Sequence, residues 1–290
     1  MIKIESIRLK KYIDYDSDLH YVSSQITRDG ALLLIESVLE ELDFFHRPVL
    51  KYDWTICVIK NHTIQTIELK DVPLIPTEID LFTDGSLLIV QGRCVKNGDY
   101  IEKNARRYSP NGELLDEFTL GDGIANVQID ETDTIWVSYY DEGIGGNFGW
   151  EEPIGRDGFL TFTKEGQKVW GAEEYSIDDC YAMNIASSKE VYFYYYSDFY
   201  LVQLCEGKEA FRYPVRGDDT LQQFMFDTNG MIGQIDIYTF KRYKVKAGAI
   251  SAAGDLQLID ESGKRFNDAI LMRGKYLYAF KNGGWYRKEY

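Results

Sequence analysis

The chain has 290 residues, 44% hydrophobic and 27% charged, the balance of a globular protein able to bury a core. A net charge of −15 and a pI near 4.7 repel phosphate backbones and anionic lipid surfaces, so neither a nucleic acid nor a membrane is expected as a partner. The 22 Tyr, 15 Phe and 5 Trp favour strands, where broad rings pack on half-buried pleated surfaces.

Residues 1–10 alternate apolar and charged side chains. They lack the continuous apolar run of a signal peptide and read as a strand. No stretch approaches the ~18 apolar residues of a membrane span. A hairpin follows, Gln25-Ile26-Thr27-Arg28-Asp29-Gly30 turning into Ala31-Leu32-Leu33-Leu34. Residues 36–42 read as a short helix or as a continuing strand. The hairpin recurs as Leu81-Phe82-Thr83-Asp84-Gly85 with residues 86–90. It is clearest from residue 124, where two alternating strands flank Glu131-Thr132-Asp133, a long loop follows, and two more strands meet at Lys164-Glu165-Gly166. Further copies begin near residues 184, 225 and 270. The copies recur about every 49 residues, a spacing typical of propeller blades built from four antiparallel strands.

This pattern predicts an all-β fold, a six-bladed β-propeller forming a single domain over residues 1–290. A pair of β-sandwiches would not need the repeated hairpin, and a seventh blade would need one hidden in the irregular stretch before residue 75. After the last hairpin, residues 283–290 supply only a third strand, so the N-terminal strand is expected to close the last blade and cover its edge. Cys57, Cys94, Cys180 and Cys205 are widely spaced in apolar or strand-like contexts and read as buried thiols rather than disulfides or zinc ligands, which fits a cytoplasmic protein.

The segments leading into the first strands carry Glu78, Asp122, Asp178, Asp179, Asp218, Asp219 and Asp268. If they converge at one mouth of a propeller, Glu78, Asp122, Asp178, Asp218 and Asp268 are candidate ligands for Ca²⁺ or another divalent cation. Capping of turns is the competing role. The long loop, residues 141–157, combines turn-permitting glycines with anchor-type aromatics. Asp141, Asn147, Phe148 and Trp150 on it are candidate ligand contacts, as are Tyr196 and Asp198 at a hairpin tip. The remaining rings of residues 192–200 read as packing between blades. His20, His46 and His62 show no zinc or triad spacing, and Arg106-Arg107 and Lys241-Arg242 read as partners of nearby carboxylates.

Residues 135–143, 147–150 and 178–182 resemble phrases of bacterial propeller-like proteins, and the Asp-x-x-Gly hairpins are similar to those of six-bladed NHL-type and gluconolactonase-type propellers. The resemblance implies the fold. Gluconolactonase-like enzymes hold a divalent metal with a Glu, an Asn and an Asp, and that pattern has no residue-by-residue match here, so neither the metal nor the activity carries over.

Two functional expectations follow. One is a non-enzymatic binding module that presents the acidic mouth and the Gly/Trp loop to a protein or small-molecule ligand of basic character, for example an acidic inhibitor or immunity protein facing a basic toxin. The other is a metal-dependent hydrolase or lyase using the mouth carboxylates.

Overall fold

The computed structural model describes residues 4–217 and 219–290. The chain forms two compact units, one spanning Ser17–Cys180 and one built from Met1–Asp16 with Tyr181–Tyr290.

The Ser17–Cys180 unit holds three four-stranded antiparallel meanders. Their strands are His20–Ile26, Leu32–Ser37, Tyr52–Lys60 and Thr63–Val72; Glu78–Leu81, Leu87–Val90, Ala105–Tyr108 and Leu114–Phe118; and Ile124–Ile129, Ile135–Tyr139, Phe159–Phe162 and Lys168–Gly171. The second strand of each sheet is buried at every residue, whereas the fourth is mostly open to solvent. Period-2 alternation explains how a fully buried strand is used. Leu87 and Ile89 join a core with Leu33, Ile35, Trp54 and Ile56 of the first sheet. Leu88 and Val90 point the other way, into a core with Val127, Ile129, Ile135 and Val137 of the third. Each such side chain contributes about 1.5–3 kcal/mol by leaving water.

One turn is reused throughout this unit. Thr27 N–H donates to the Ala31 carbonyl and Gly30 N–H to Thr27, a pattern repeated by Phe82, Gly85 and Ser86 and by Asp130, Asp133 and Thr134. The fourth residue must be left-handed, with φ of 79° at Gly30 and 81° at Gly85. Asp133 takes that place at φ 63°, which Asp tolerates better than most residues.

In the other unit, Lys10–Asp14, Gly284–Glu289, Tyr276–Phe280 and Ile270–Arg273 form one four-stranded sheet. Two further meanders run through Asp179–Ser187, Glu190–Tyr196, Tyr200–Cys205 and Lys208–Arg216, and through Gln223–Asp227, Gly230–Gln234, Phe240–Lys246 and Ala249–Ile259. They are not separate, as expected for two blades, but fused into one sheet. Lys208–Arg216 and Ala249–Ile259 are long outer strands of 9 and 11 residues, and Val215 and Arg216 pair in parallel with Ile250 and Ser251. Within Glu190–Tyr196, Phe193, Tyr194 and Tyr195 are fully buried, and Tyr192 meets Phe226 at 4.8 Å between ring centroids.

Two expectations need correction. The strand that completes the last sheet is Lys10–Asp14, and Glu5–Arg8 runs parallel to Ala249–Ile259 instead. The apolar side chains decide this. Ile7 and Leu9 are buried in the core formed by Met225, Phe240 and Leu258, while Tyr12 packs edge-on against Tyr278. Residues 36–42 hold no helix: the strand Leu32–Ser37 continues through Glu36 and Ser37, and an irregular segment follows; among the described residues the α-helix is the short Asp141–Gly145, inside the long loop. Among the described residues no helix is long and apolar enough to cross a membrane.

Candidate functional site

The site that stands out in the Ser17–Cys180 unit is a cleft of about 380 Å³ lined by Phe44, Thr77, Glu78, Gln91, Gly92, Arg93, Ile124, Ala125 and Tyr140. Its floor lies where the first strands of the second and third sheets begin. Gly92 belongs there because its carbonyl accepts the Ile124 amide, and a Cβ at this position would lie 3.0 Å from the Ile124 carbonyl oxygen. Much of the polar lining is already bonded. The Thr77 hydroxyl accepts Gly92 N–H at 3.0 Å, and the Gln91 amide accepts Ile75 N–H and donates to the Arg93 carbonyl, both at 2.8 Å.

Arg93 organises one wall. Its Nε and Nη2 donate to Asp122 at 3.0 and 3.1 Å, and Nη1 pairs with Glu142 of the short helix. Asp122, whose side chain is fully buried, also accepts Cys94 N–H at 2.7 Å. The guanidinium lies 4.2 Å from the Phe148 ring centroid and 5.7 Å from that of Tyr140. Burial pushes the Tyr140 hydroxyl up to about 12.

The long loop is fastened to the same wall. Trp150 is buried and its Nε1 donates to the Cys94 carbonyl at 2.8 Å, while Lys96 N–H donates to Phe148 at 2.9 Å. At Gly149, φ is 86° and a Cβ would fall 1.9 Å from the Lys96 carbonyl oxygen, so the loop could not seat with any other residue there. Glu102 accepts Val95 N–H at 3.0 Å and holds Arg47 at 3.3 Å, which ties residues 38–51 to the same rim.

Glu78 is different. Its Oε2 accepts Val127 N–H at 3.3 Å, and no ion pair to it is formed among the described residues. Burial in the cleft pushes its carboxyl up to about 8, so it is mostly protonated at neutral pH. A carboxyl whose folded pKa lies above its unfolded value favours folding below the unfolded value. That contribution is lost as pH rises towards the folded one. Glu78→Gln is therefore expected to melt above the native chain at pH 9, by on the order of a few kcal/mol in stability, and to match it near pH 4. Paired thermal melts check this, and an equal gap at both pH values would contradict it.

The five carboxylates expected to converge on a cation are placed as follows. Glu78 lines the cleft, Asp122 is occupied by Arg93 and Cys94, and Asp178 is exposed. Asp268, in the other unit, is exposed, and Asp218 lies outside the described residues. Among the described residues no group of three or more His, Cys, Asp or Glu side chains is placed to hold a metal. The physical reason at Asp122 is that a guanidinium already supplies its counter-charge. Asp179, beside the expected set, is raised to about 6 by burial and by the charge of Asp141.

Of the expected ligand contacts, Phe148 and Trp150 serve as anchors of the loop. Asn147 and Asp141 are exposed, and each accepts the amide of its successor at 2.8 Å. In the other unit, Tyr196 is exposed and packs edge-on against Phe199 at 5.4 Å, and Asp198 is exposed. The sequence reading missed Arg93, Glu142, Tyr140 and Phe44. A lone Arg directly after a fully buried strand, in Gln91-Gly92-Arg93-Cys94, was the available signal.

Against known structures, the chain is similar to virginiamycin B lyase from Staphylococcus aureus, at 10% identity and a TM-score of 0.53 over 97% of this chain and 98% of that one. A catalytically inactive form of the lyase with quinupristin gives 9% and 0.51 over the same shares. The fold is a β-propeller. At these identities the likeness extends to the fold alone. A gluconolactonase from Xanthomonas campestris aligns at 10% identity and a TM-score of 0.45, over 95% of this chain and 96% of that one. A sequence model of the YxzG family matches residues 154–288, just under half of the chain. No curated protein matches it in sequence.

Proposed function

We propose that the chain is a six-bladed β-propeller that acts as a non-enzymatic, cytoplasmic binding module, receiving a basic protein partner at the rim of the Glu78 cleft. Support for six blades comes from the three meanders of the Ser17–Cys180 unit and the three of the other, two of them fused. A reducing compartment fits the free thiols of Cys57, Cys94 and Cys180, which are buried as expected, and of Cys205, which is exposed instead.

The observation that carries the binding reading is the segment of residues 38–50. Val38 is 72% exposed and Phe45 70%, with Leu39, Phe44 and Leu50 also open to water. Glu40, Glu41 and Asp43 lie exposed between them. Apolar side chains clustered in water mark contact surfaces, and interleaved carboxylates select a partner of opposite charge and speed its approach. Phe44 joins this segment to the cleft, and the overall charge of −15 acts in the same direction.

The test is capture from cells that express the chain, comparing the native protein with a Val38→Asp, Phe45→Asp double variant on the same support. A basic protein retained by the native chain, released by salt and absent from the variant is the expected result. No retained protein, or equal retention by both, would refute the reading. Because both substituted side chains are exposed, the variant is expected to melt within about 1 kcal/mol of the native chain.

A further inference from the structure

The Glu78 cleft contains two groups able to carry charge, and they are satisfied unequally. Arg93 faces two carboxylates, Asp122 through two hydrogen bonds and Glu142 through a third, so its charge is more than matched. Glu78 has a backbone amide on Oε2 and no cation among the described residues. The other groups around it supply none. Tyr21 of the first sheet is a neutral phenol bonded to Ser24 at 2.8 Å, Tyr140 is a neutral phenol, and Asp80 on the same strand is turned away to accept Ile129 N–H at 2.6 Å. Thr77, Gln91 and Gly92 line the cleft with polar groups that are already bonded to one another or to the backbone, and Phe44, Tyr140, Ile124 and Ala125 supply its aromatic and aliphatic surface.

We propose that this cleft is a subsite for an alkylammonium group, with the Glu78 carboxylate as its counter-ion and the Phe44 and Tyr140 rings as its walls. The proposal rests on the basic-partner reading and deepens it, because the ammonium arm of a lysine is the commonest group of this chemistry on a basic protein. A free primary amine offers the same group. A compact ammonium suits the site better than a guanidinium. With Oε2 already held by Val127, Glu78 has one open oxygen, which serves a point-like donor but not a two-pronged fork. Aromatic walls attract a cation within reach of their faces, more strongly once water is displaced. A volume of about 380 Å³ has room for a four-carbon arm.

The proton balance is explicit. Burial keeps Glu78 as the neutral acid at pH 7, its carboxyl pushed up to about 8. Binding of an ammonium expels that proton to solvent and leaves a carboxylate–ammonium pair, with no net change in charge within the cleft. Affinity is therefore expected to rise from pH 6 to pH 8 and to fall again near pH 10, where a primary amine loses its own proton.

The experiment is calorimetric titration of the full chain with n-butylamine, with hexalysine and with hexaarginine, at pH 7 in two buffers of different ionisation enthalpy. It is run on the native protein and on Glu78→Gln, whose folding is checked by its melt. The expected results are millimolar binding of butylamine, release of close to one proton per amine, and about tenfold weaker binding by Glu78→Gln. Hexalysine should bind more tightly than hexaarginine and show the same dependence on Glu78. Butylamine binding that ignores Glu78→Gln, or releases no proton, overturns the subsite. The two readings separate cleanly. If butylamine binding ignores Glu78→Gln while a captured basic protein binds equally to native and Glu78→Gln chains, the subsite falls and the binding module stands. If butylamine binds through Glu78 but hexalysine does not, the subsite stands as one for a free amine.

Discussion

Arg93→Met is expected to lower the melting temperature by about 10 °C, among the largest effects of any single surface-accessible side chain in this protein. The substitution keeps most of the volume under Phe148 and removes only the charge and its donors. Asp122 is left with a fully buried carboxylate and one hydrogen bond, from Cys94. Breaking a buried pair from one side costs about 3–5 kcal/mol, because the remaining charge is neither solvated nor matched. Glu142 has a side chain 42% exposed and returns to water at little cost, so Glu142→Gln should change stability by less than about 1 kcal/mol. The buried carboxylate, not the loss of contacts, is the cause, and a double variant separates the two. Arg93→Met with Asp122→Asn should be more stable than Arg93→Met alone. A melt within about 2 °C of the native protein would show that Asp122 finds another partner.

Arg242→Met should have a comparable effect in the other unit, together with a local one that Arg93 cannot produce. Arg242 is 4% exposed and donates to Asp227 at 2.8 and 2.9 Å and to Glu5 at 3.0 and 2.6 Å. The Asp227 side chain is buried, so its loss of a partner again costs about 3–5 kcal/mol. Glu5 lies on the strand Glu5–Arg8, which adds in parallel to Ala249–Ile259. Removing Arg242 unpins that strand. Hydrogen exchange at residues 5–9 and 256–259 should accelerate more than in the strands of the last sheet. The hydrogen bond to Arg242 holds the Glu5 carboxyl below its ordinary value. The associated stability is present above about pH 4 and is lost as pH falls through the depressed pKa, so the N-terminal strand should loosen first on acidification. Unchanged exchange at residues 5–9 in Arg242→Met would mean that Ile7 and Leu9 alone hold the strand.

The hairpins are legible in the sequence because their causes are local. At 25–34, 81–90 and 128–138, alternating apolar residues flank a turn whose fourth position demands a left-handed residue, and Gly30, Gly85 and Asp133 meet that demand. The third sheet was legible strand by strand for the same reason. That Arg106 and Arg107 pair with nearby carboxylates was legible too, and the structure identifies these as Glu117 and Asp116, brought alongside by the neighbouring strand.

The N-terminal strand shows where this stops. Residues 1–10 alternate as a strand must, but alternation does not say which sheet edge takes them. Burial of Ile7 and Leu9 against Met225 and Leu258 drew Glu5–Arg8 to one edge, and the pairing of Lys10–Asp14 with Gly284–Glu289 used the other. The fusion of the two meanders through Val215 and Ile250 depended likewise on how far two outer strands overhang.

By itself, then, the sequence determined strand periodicity, turn chemistry and the repeat, all set by interactions within a few residues. Tertiary structure alone decided which charges meet. Asp122 reads as an acid at the head of a strand, and only the packing of two sheets brings Arg93 onto it from 29 residues away and leaves Glu78 without a cation among the described residues. The energy of a charge depends on its solvent and its counter-charge, and both are properties of the folded surface rather than of the neighbouring sequence.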